Sequence, residues 1–149
     1  MTSTIARATR SLAAVGLAAV LMLPATAEAG HPSRKSDASR ASKNGKLEGA
    51  IDGVSMTLTY GRPKVKDRDL WGKLVPYGKV WRAGADEATA VTFSKAVKIN
   101  GKALPAGSYA FFAIPNKDKW TLVFNSQAEQ WGAYSYDSSK DVLRVDVAP

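Results

Sequence analysis

The chain has no cysteine among its 149 residues, and this absence excludes several kinds of site. Disulfide bridges, thiolate nucleophiles and cysteine-ligated metal centres cannot be built. Histidine is almost as scarce, because His31 is the only one. Imidazole catalysis and His-ligated metals are therefore excluded from the residues that follow it. No phosphate-binding glycine loop and no calcium-binding EF-hand loop occurs either. The sequence thus predicts no catalytic residue, no metal site and no cofactor, and it favours a non-enzymatic function.

Long hydrophobic runs are also missing, apart from one near the amino terminus. That run extends from Leu12 to Leu23, which at 12 residues is shorter than the roughly 20 that a membrane-spanning helix needs. Two arginines precede it, and two small-x-small sites follow it, Ala25–Ala27 and Ala27–Ala29. This order is typical of a cleaved signal peptide, with an uncleaved membrane anchor as the alternative.

Residues 1–29 are accordingly predicted to be removed on export. We expect the mature protein to be periplasmic or extracellular, with no transmembrane segment after cleavage. The lack of disulfides favours a bacterial envelope over a eukaryotic extracellular setting.

The net charge of +8 suggests a nucleic-acid partner until it is divided along the chain. The leader contributes +1, residues 30–46 contribute +4, and residues 47–149 contribute only +3. Most of the surplus therefore lies outside the predicted domain, and no nucleic-acid partner is expected.

Residues 30–46 are rich in serine, lysine and arginine, and alanine is almost their only apolar residue. Such a composition buries too little surface to offset the entropy of ordering, so it predicts a flexible basic linker. The alternative is a basic arm that makes weak contact with an anionic envelope surface.

Residues 47–149 alternate apolar and polar side chains with a period of two, which predicts short strands. Glycine, proline, asparagine and aspartate separate them, and Asp52-Gly53 and Asn100-Gly101 are strong hairpin signals. The pattern predicts a single all-β domain of seven to eight strands, an antiparallel β-sandwich or a partly closed barrel. The predicted strands are Leu47–Ile51, Val54–Tyr60, Ala88–Phe93, Val97–Ile99, Lys102–Leu104, Ser108–Ile114, Trp120–Asn125 and Leu143–Val147.

One long irregular stretch, Gly61 to Asp86, interrupts these strands. It holds two tryptophans and several other large apolar residues, too many for a disordered segment. Long packed loops in compact domains are usually functional, so we expect any site to lie here.

The candidate site combines guanidinium groups, carboxylates and flat aromatic faces that the loops of a sandwich bring together at one end. Such a set suits a polar ligand such as a sugar or a peptide. In the alternative interpretation the aromatic side chains fill the core, and Arg82 pairs with Asp86 or Glu87 to fix the loop. The candidate ligand-binding residues are Arg62, Trp81, Arg82, Asp86, Glu87, Trp131 and Tyr134.

Several longer runs carry a family resemblance: Arg62-Pro63, Asp69–Ala85, Pro105–Tyr109 and Trp131–Tyr134. Through them the chain resembles a bacterial family known only as a domain of unknown function (number 2911). The similarity covers nearly all of residues 47–149. It implies an exported protein with one β-rich domain, and it implies no activity.

The sequence departs from this family pattern at two places. Asp86 stands where members tend to have asparagine, and Gly61 stands where they often have serine.

Together these observations predict an exported, envelope-associated β-domain that binds a small polar ligand or an envelope protein. A second hypothesis is a hydrolase that uses the arginines and carboxylates of residues 61–87. However, Asp86 and Glu87 are adjacent, and neighbours on a strand point to opposite faces, which argues against a shared catalytic role. A third hypothesis is a structural domain with no pocket.

Overall fold

The computed structural model describes residues 34–149. The predicted signal peptide and residues 30–33 lie outside the described residues. The described residues contain strands and one short 3₁₀ turn, Ser138–Lys140, and none of their helical structure is long and apolar enough to cross a membrane. The strands are β1 (Lys43–Ile51), β2 (Val54–Arg62), β3 (Thr89–Phe93), β4 (Val97–Ile99), β5 (Lys102–Leu104), β6 (Gly107–Ile114), β7 (Trp120–Asn125) and β8 (Asp141–Val147).

Six of these strands form one antiparallel sheet in the order β1-β2-β3-β6-β7-β8, and β4 and β5 form a separate hairpin. The all-β prediction is confirmed, but the large sheet is open and does not close into a barrel. Both predicted hairpin turns form. Asp52 and Gly53 have φ of 51° and 72°, and Asn100 and Gly101 have 52° and 77°, the left-handed pair that a two-residue hairpin requires.

The core lies on both faces of the large sheet. On one face, Leu104 of the β4–β5 hairpin is fully buried against a cluster that includes Val91, Tyr109 and Phe124. On the other face, Phe112 and Val123 are fully buried under loop residues. The half-buried loop residues on that second face are Val80, Ala133 and Tyr136.

The loop between β7 and β8 is fixed by a buried amide. Asn125 donates from Nδ2 to the Asp137 carbonyl at 2.9 Å and to the Asp141 carboxylate at 2.8 Å. Its own Oδ1 accepts from the Gln127 amide at 3.0 Å. Because every polar atom of this fully buried side chain is satisfied, the loop that carries Trp131 has a defined path.

The prediction of a flexible linker over residues 30–46 is wrong for residues 34–46. β1 begins at Lys43, paired with Arg62, four positions before the predicted start at Leu47. Gly45 interrupts the apolar alternation there, so periodicity did not extend the strand. Residues 34–42, which we call the arm, are held by ion pairs that composition alone does not reveal.

Candidate functional site

The candidate site is built on the segment Trp81–Ala88, which leads into β3. Trp81 exchanges two backbone hydrogen bonds with Ala113 of β6, at 2.8 and 2.9 Å. Ala83 and Asp86 then adopt left-handed backbone conformations, with φ of 53° and 63°. Few non-glycine residues accept this region, and here two bends within four residues push the segment out of the sheet. The Thr89 hydroxyl donates to the Ala83 carbonyl at 3.1 Å and holds the first bend.

Arg34 of the arm anchors the far end of this segment. Its Nη2 donates to the Ala85 carbonyl at 2.9 Å, and its Nη1 donates to the carbonyls of Glu87 and Ala88 at 3.1 Å each. Its Nε donates to Asn44 Oδ1 at 2.8 Å, and its Nη2 lies 3.3 Å from a Glu87 carboxylate oxygen. The side chain is only 6% exposed. A single guanidinium thus satisfies three carbonyls and fixes the turn.

The close approach of Arg34 also explains a glycine. A Cβ at Gly61 would lie 2.3 Å from the Ala85 carbonyl oxygen and 3.1 Å from Arg34 Nη2. The first distance is impossible for a real side chain, so Gly61 lets the segment pack directly on β2. This is one of the two positions where the chain departs from the family pattern.

Arg40 of the arm holds the two carboxylates. Its Nη1 donates to Glu87 at 2.7 Å and to Asp86 at 3.2 Å, and its Nη2 donates to Glu87 at 2.5 Å. The hydrogen bonds from Arg40 lower the pKa of Glu87 to about 2 from its ordinary 4.5. Glu87 is therefore ionised at neutral pH and is a poor proton donor or acceptor for catalysis there.

These pairings correct the alternative interpretation of Arg82. In that interpretation Arg82 pairs with Asp86 or Glu87, but among residues 34–149 the arm arginines take both carboxylates. Within the same residues Arg82 Nε is buried and has no hydrogen-bond partner. Arg82 thus differs from the arm arginines in lacking a carboxylate partner.

A groove of about 490 Å³ opens beside the segment. Its lining includes Arg82 and Asp86 from the segment, Ser42 from the end of the arm, and residues of the 61–86 loop. The loop contributes the cations Lys64 and Arg68 and the indole of Trp71. The prediction that this loop is packed holds only in part: Val75 is buried and hydrogen-bonded to Leu70 and Gly72, whereas Trp71, Leu74 and Tyr77 are exposed.

Three indoles form a cluster at this groove. The ring centroid of Trp71 lies 4.8 Å from that of Trp120 and 5.7 Å from that of Trp81, with the rings edge to face. Trp71 is 45% exposed, and the other two are half-buried. The half-buried indoles of Trp81 and Trp120 therefore support the exposed indole of Trp71, which lines the groove.

The charges of the groove wall are mainly positive. Arg68 donates only to the carbonyls of Val65 and Lys64, at 2.7 Å each, and has no carboxylate partner among residues 34–149. Arg82 also lacks a carboxylate partner among these residues. Asp86 is the acidic residue of the lining, and Arg40 already neutralises it.

This groove is not lined by the other predicted residues, Arg62, Glu87, Trp131 and Tyr134. Trp131 is 53% exposed and forms a backbone bridge with Glu87. Tyr134 is 86% exposed and lines a second cavity of about 310 Å³ together with Trp81 and Arg82. Arg62 is exposed at the end of β2 and is not among the lining residues of either cavity. Trp81 and Arg82 line both cavities.

Sequence reasoning missed the residues that complete the site. Arg34 and Arg40 were assigned to a linker, and Lys64, Arg68 and Trp71 were not singled out within the loop. One signal was available: the carboxylate pair needs cations, and residues 30–46 carry a surplus of positive charge.

The comparisons with known proteins give one match. A family model described as a protein of unknown function (DUF2911) matches residues 42–149. No curated protein and no solved structure matches the chain.

Proposed function

The chain belongs to the DUF2911 family, whose function is unknown, and we propose that it is an exported binding domain for a small anionic ligand. The ligand carries a carboxylate and a flat or apolar face, as a uronic-acid sugar or a short peptide does. The binding place is the groove between residues 63–75 of the loop and the segment Trp81–Ala88. The observation that carries this proposal is Arg82, a groove residue whose buried Nε has no hydrogen-bond partner among residues 34–149.

Charge supports an anionic ligand. Arg34 and Arg40 bind the carboxylates of Asp86 and Glu87, so these acids do not neutralise the groove cations. Lys64, Arg68 and Arg82 then face a shared volume without carboxylate partners among residues 34–149. Guanidinium groups recognise carboxylates with two parallel hydrogen bonds, which gives orientation as well as attraction.

Shape and surface support the second part of the ligand. A volume of about 490 Å³ is in the range of small-molecule sites. The exposed indole of Trp71 offers a flat apolar surface, and its edge-to-face contacts with Trp81 and Trp120 hold its orientation. A sugar ring or a peptide side chain can pack on such a surface while its carboxylate meets Arg82.

The two other hypotheses have less support. A hydrolase would need a carboxylate that changes its protonation near neutral pH, whereas the pKa of Glu87 is about 2 and both acids are held by Arg40. A domain with only a structural role gives no reason for a buried Arg82 Nε that lacks a partner among residues 34–149.

A fluorescence titration of the mature chain tests the ligand class, because Trp71 and Trp81 line the groove and Trp120 contacts both indoles. The probes are sodium glucuronate and the N-acetyl dialanine carboxylate, with glucose and sodium sulfate as the neutral and plain-anion controls. We expect a saturable change with at least one carboxylate probe. Arg82→Gln should weaken that affinity about tenfold or more, as for a lost hydrogen bond to a charged group.

Lys98→Gln is the matched control, because Lys98 is an exposed cation on β4 outside both cavities. It should leave the affinity unchanged. Equal responses to glucose and glucuronate, or no saturable response to either carboxylate probe, would contradict the proposed ligand class.

Export is the second part of the proposal, and the leader sequence supports it. Amino-terminal sequencing of the exported form should find a start at Glu28 or Gly30, after one of the two small-x-small sites. An intact Met1 in the membrane fraction would mean that the leader is an anchor.

A further inference from the structure

β1 is an outer strand of the large sheet, and its free edge is exposed. It spans Lys43–Ile51, and among residues 34–149 it pairs only with β2 in the sheet order. From Lys46 to Ile51 every residue is exposed. An unpaired strand edge is a template for pairing with another chain unless something covers it.

The hydrogen-bonding pattern shows which backbone groups point outward. The Asn44 amide donates to the Asp37 side chain at 2.8 Å, so it faces away from β2. Backbone groups alternate in direction along a strand, and Lys46 and Glu48 therefore also face outward. The two-residue turn at Asp52-Gly53 agrees with this assignment, because it makes its flanking residues, Ile51 and Val54, a hydrogen-bonded pair.

The outward groups are unpaired along the middle of the edge. Among residues 34–149 the arm covers the start of β1, through Asp37 on Asn44, and no described backbone group bonds the outward amides of Lys46 and Glu48. The open part of the edge is therefore Gly45–Gly49.

The sequence of this open part is self-complementary. It reads Gly45-Lys46-Leu47-Glu48-Gly49, with a cation and an anion on either side of a central leucine. A twofold axis at Leu47 would place Lys46 of one copy opposite Glu48 of the other, twice. It would also place each glycine opposite the other glycine. Opposite charges at directly facing positions stabilise an antiparallel pair, whereas like charges destabilise it.

We propose that β1 pairs antiparallel with β1 of a second copy of this chain, in the register that sets Leu47 opposite Leu47. Lys46 and Glu48 exchange backbone hydrogen bonds across the axis and pair their side chains on one face. The interface is isologous, as expected for a twofold dimer.

The apolar side chains fit the same register. Leu47 is 53% exposed and is paired in the sheet with Leu58, which packs on the core beside Met56. In the proposed register Leu47 is a non-hydrogen-bonded position, where facing side chains come closest. The two leucines then cover each other and continue the apolar face of one sheet into the next. Because the paired segment is short, the dimer should be weak and concentration-dependent.

Sedimentation velocity of the mature chain over a wide range of concentrations tests the proposal. We expect reversible dimerisation of the unmodified chain. Glu48→Lys places lysine opposite lysine and should abolish association, while the double variant Lys46→Glu/Glu48→Lys should restore it. Lys98→Glu, which changes charge at an exposed residue away from β1, should leave association unchanged.

A covalent test reads out the register itself, and the absence of cysteine makes it clean. Leu47→Cys should give a disulfide-linked dimer on mild oxidation, because the two thiols would face each other at the axis. Lys98→Cys should crosslink far less under the same conditions. A monomer at all concentrations, or a double variant that fails to associate, would overturn the proposal. So would equal crosslinking at positions 47 and 98.

Discussion

The arm and the groove carry arginines in opposite states. Arg34 and Arg40 of the arm are 6% and 8% exposed and are fully engaged with carbonyls and carboxylates. Arg82 of the groove has a buried Nε with no partner among residues 34–149. Arginine therefore has two different roles around the segment Trp81–Ala88. Where its donors are satisfied by the chain itself it builds structure, and Arg82, where they are not, is the residue to which we assign the proposed ligand contact.

The largest effect should come from Arg34→Gln, because this change leaves the carbonyls of Ala85, Glu87 and Ala88 without their donors. We expect a loss of about 3 kcal/mol in the free energy of unfolding, as for breaking one side of a buried ion pair. Urea melts measure it. Lys35→Gln is the control, because the side chain of this neighbouring cation is exposed. Equal losses for the two variants would show that the arm does not anchor the segment.

The carboxylate of Glu87 should make stability depend on acid. Its pKa is about 2 in the folded chain and 4.5 ordinarily, so it stabilises the fold above pH 4.5. That stabilisation is lost as the pH falls from about 4.5 to 2, because the unfolded chain takes up the proton first. We expect a loss of about 1 kcal/mol, reduced by solvent screening of this partly exposed group. Urea melts at pH 5 and pH 2.5 should differ less for Glu87→Gln than for the unmodified chain.

The groove side of the comparison should respond little. Arg82→Gln removes no hydrogen bond and no ion pair within residues 34–149, so its free energy of unfolding should stay within about 0.5 kcal/mol of the unmodified chain. A small gain is compatible with release of an unpaired charge kept for function. A loss of more than about 2 kcal/mol in the same urea melts would assign Arg82 a structural role and would erase the contrast with Arg34.

Asp86→Asn should likewise have only a small effect. Asparagine and aspartate both tolerate the left-handed conformation that this residue adopts at φ 63°, so the bend should survive. Only the partly exposed contact with Arg40 at 3.2 Å loses its charge, and we expect less than about 1 kcal/mol. Asp86→Val is the matched variant, because a β-branched residue resists this conformation and should cost more. Equal stabilities for the two variants would show that the bend is not a constraint.

The sequence predicted the local parts of the fold well. β4, β5 and β7 have the predicted bounds, because their apolar alternation and turn residues are contained in short windows. β1 was predicted too short, since Gly45 gives no side chain to the alternation. Trp81, Arg82 and Asp86 were named and line the groove.

The arm was not predictable in the same way. Arg40 contacts residues 46 and 47 positions further along the chain, and Arg34 contacts residues 51 to 54 positions away. A prediction from composition considers only how much apolar surface a segment can bury, and it assumes that arginine side chains stay in solvent. It does not show that a distant turn offers three carbonyls and two carboxylates to the same two guanidinium groups.

The distance along the chain between Arg34 and its partners also affects the order in which parts of the protein fold. A chain that emerges from the ribosome amino terminus first exposes Arg34 more than fifty residues before Glu87, its partner 53 positions on. The β1–β2 hairpin has a two-residue turn and can form within microseconds of its own emergence. The arm must wait in water until β3 is laid against β2. The arm emerges early but is thus among the last parts of the fold to dock, and an arm still undocked marks a molecule that has not finished folding.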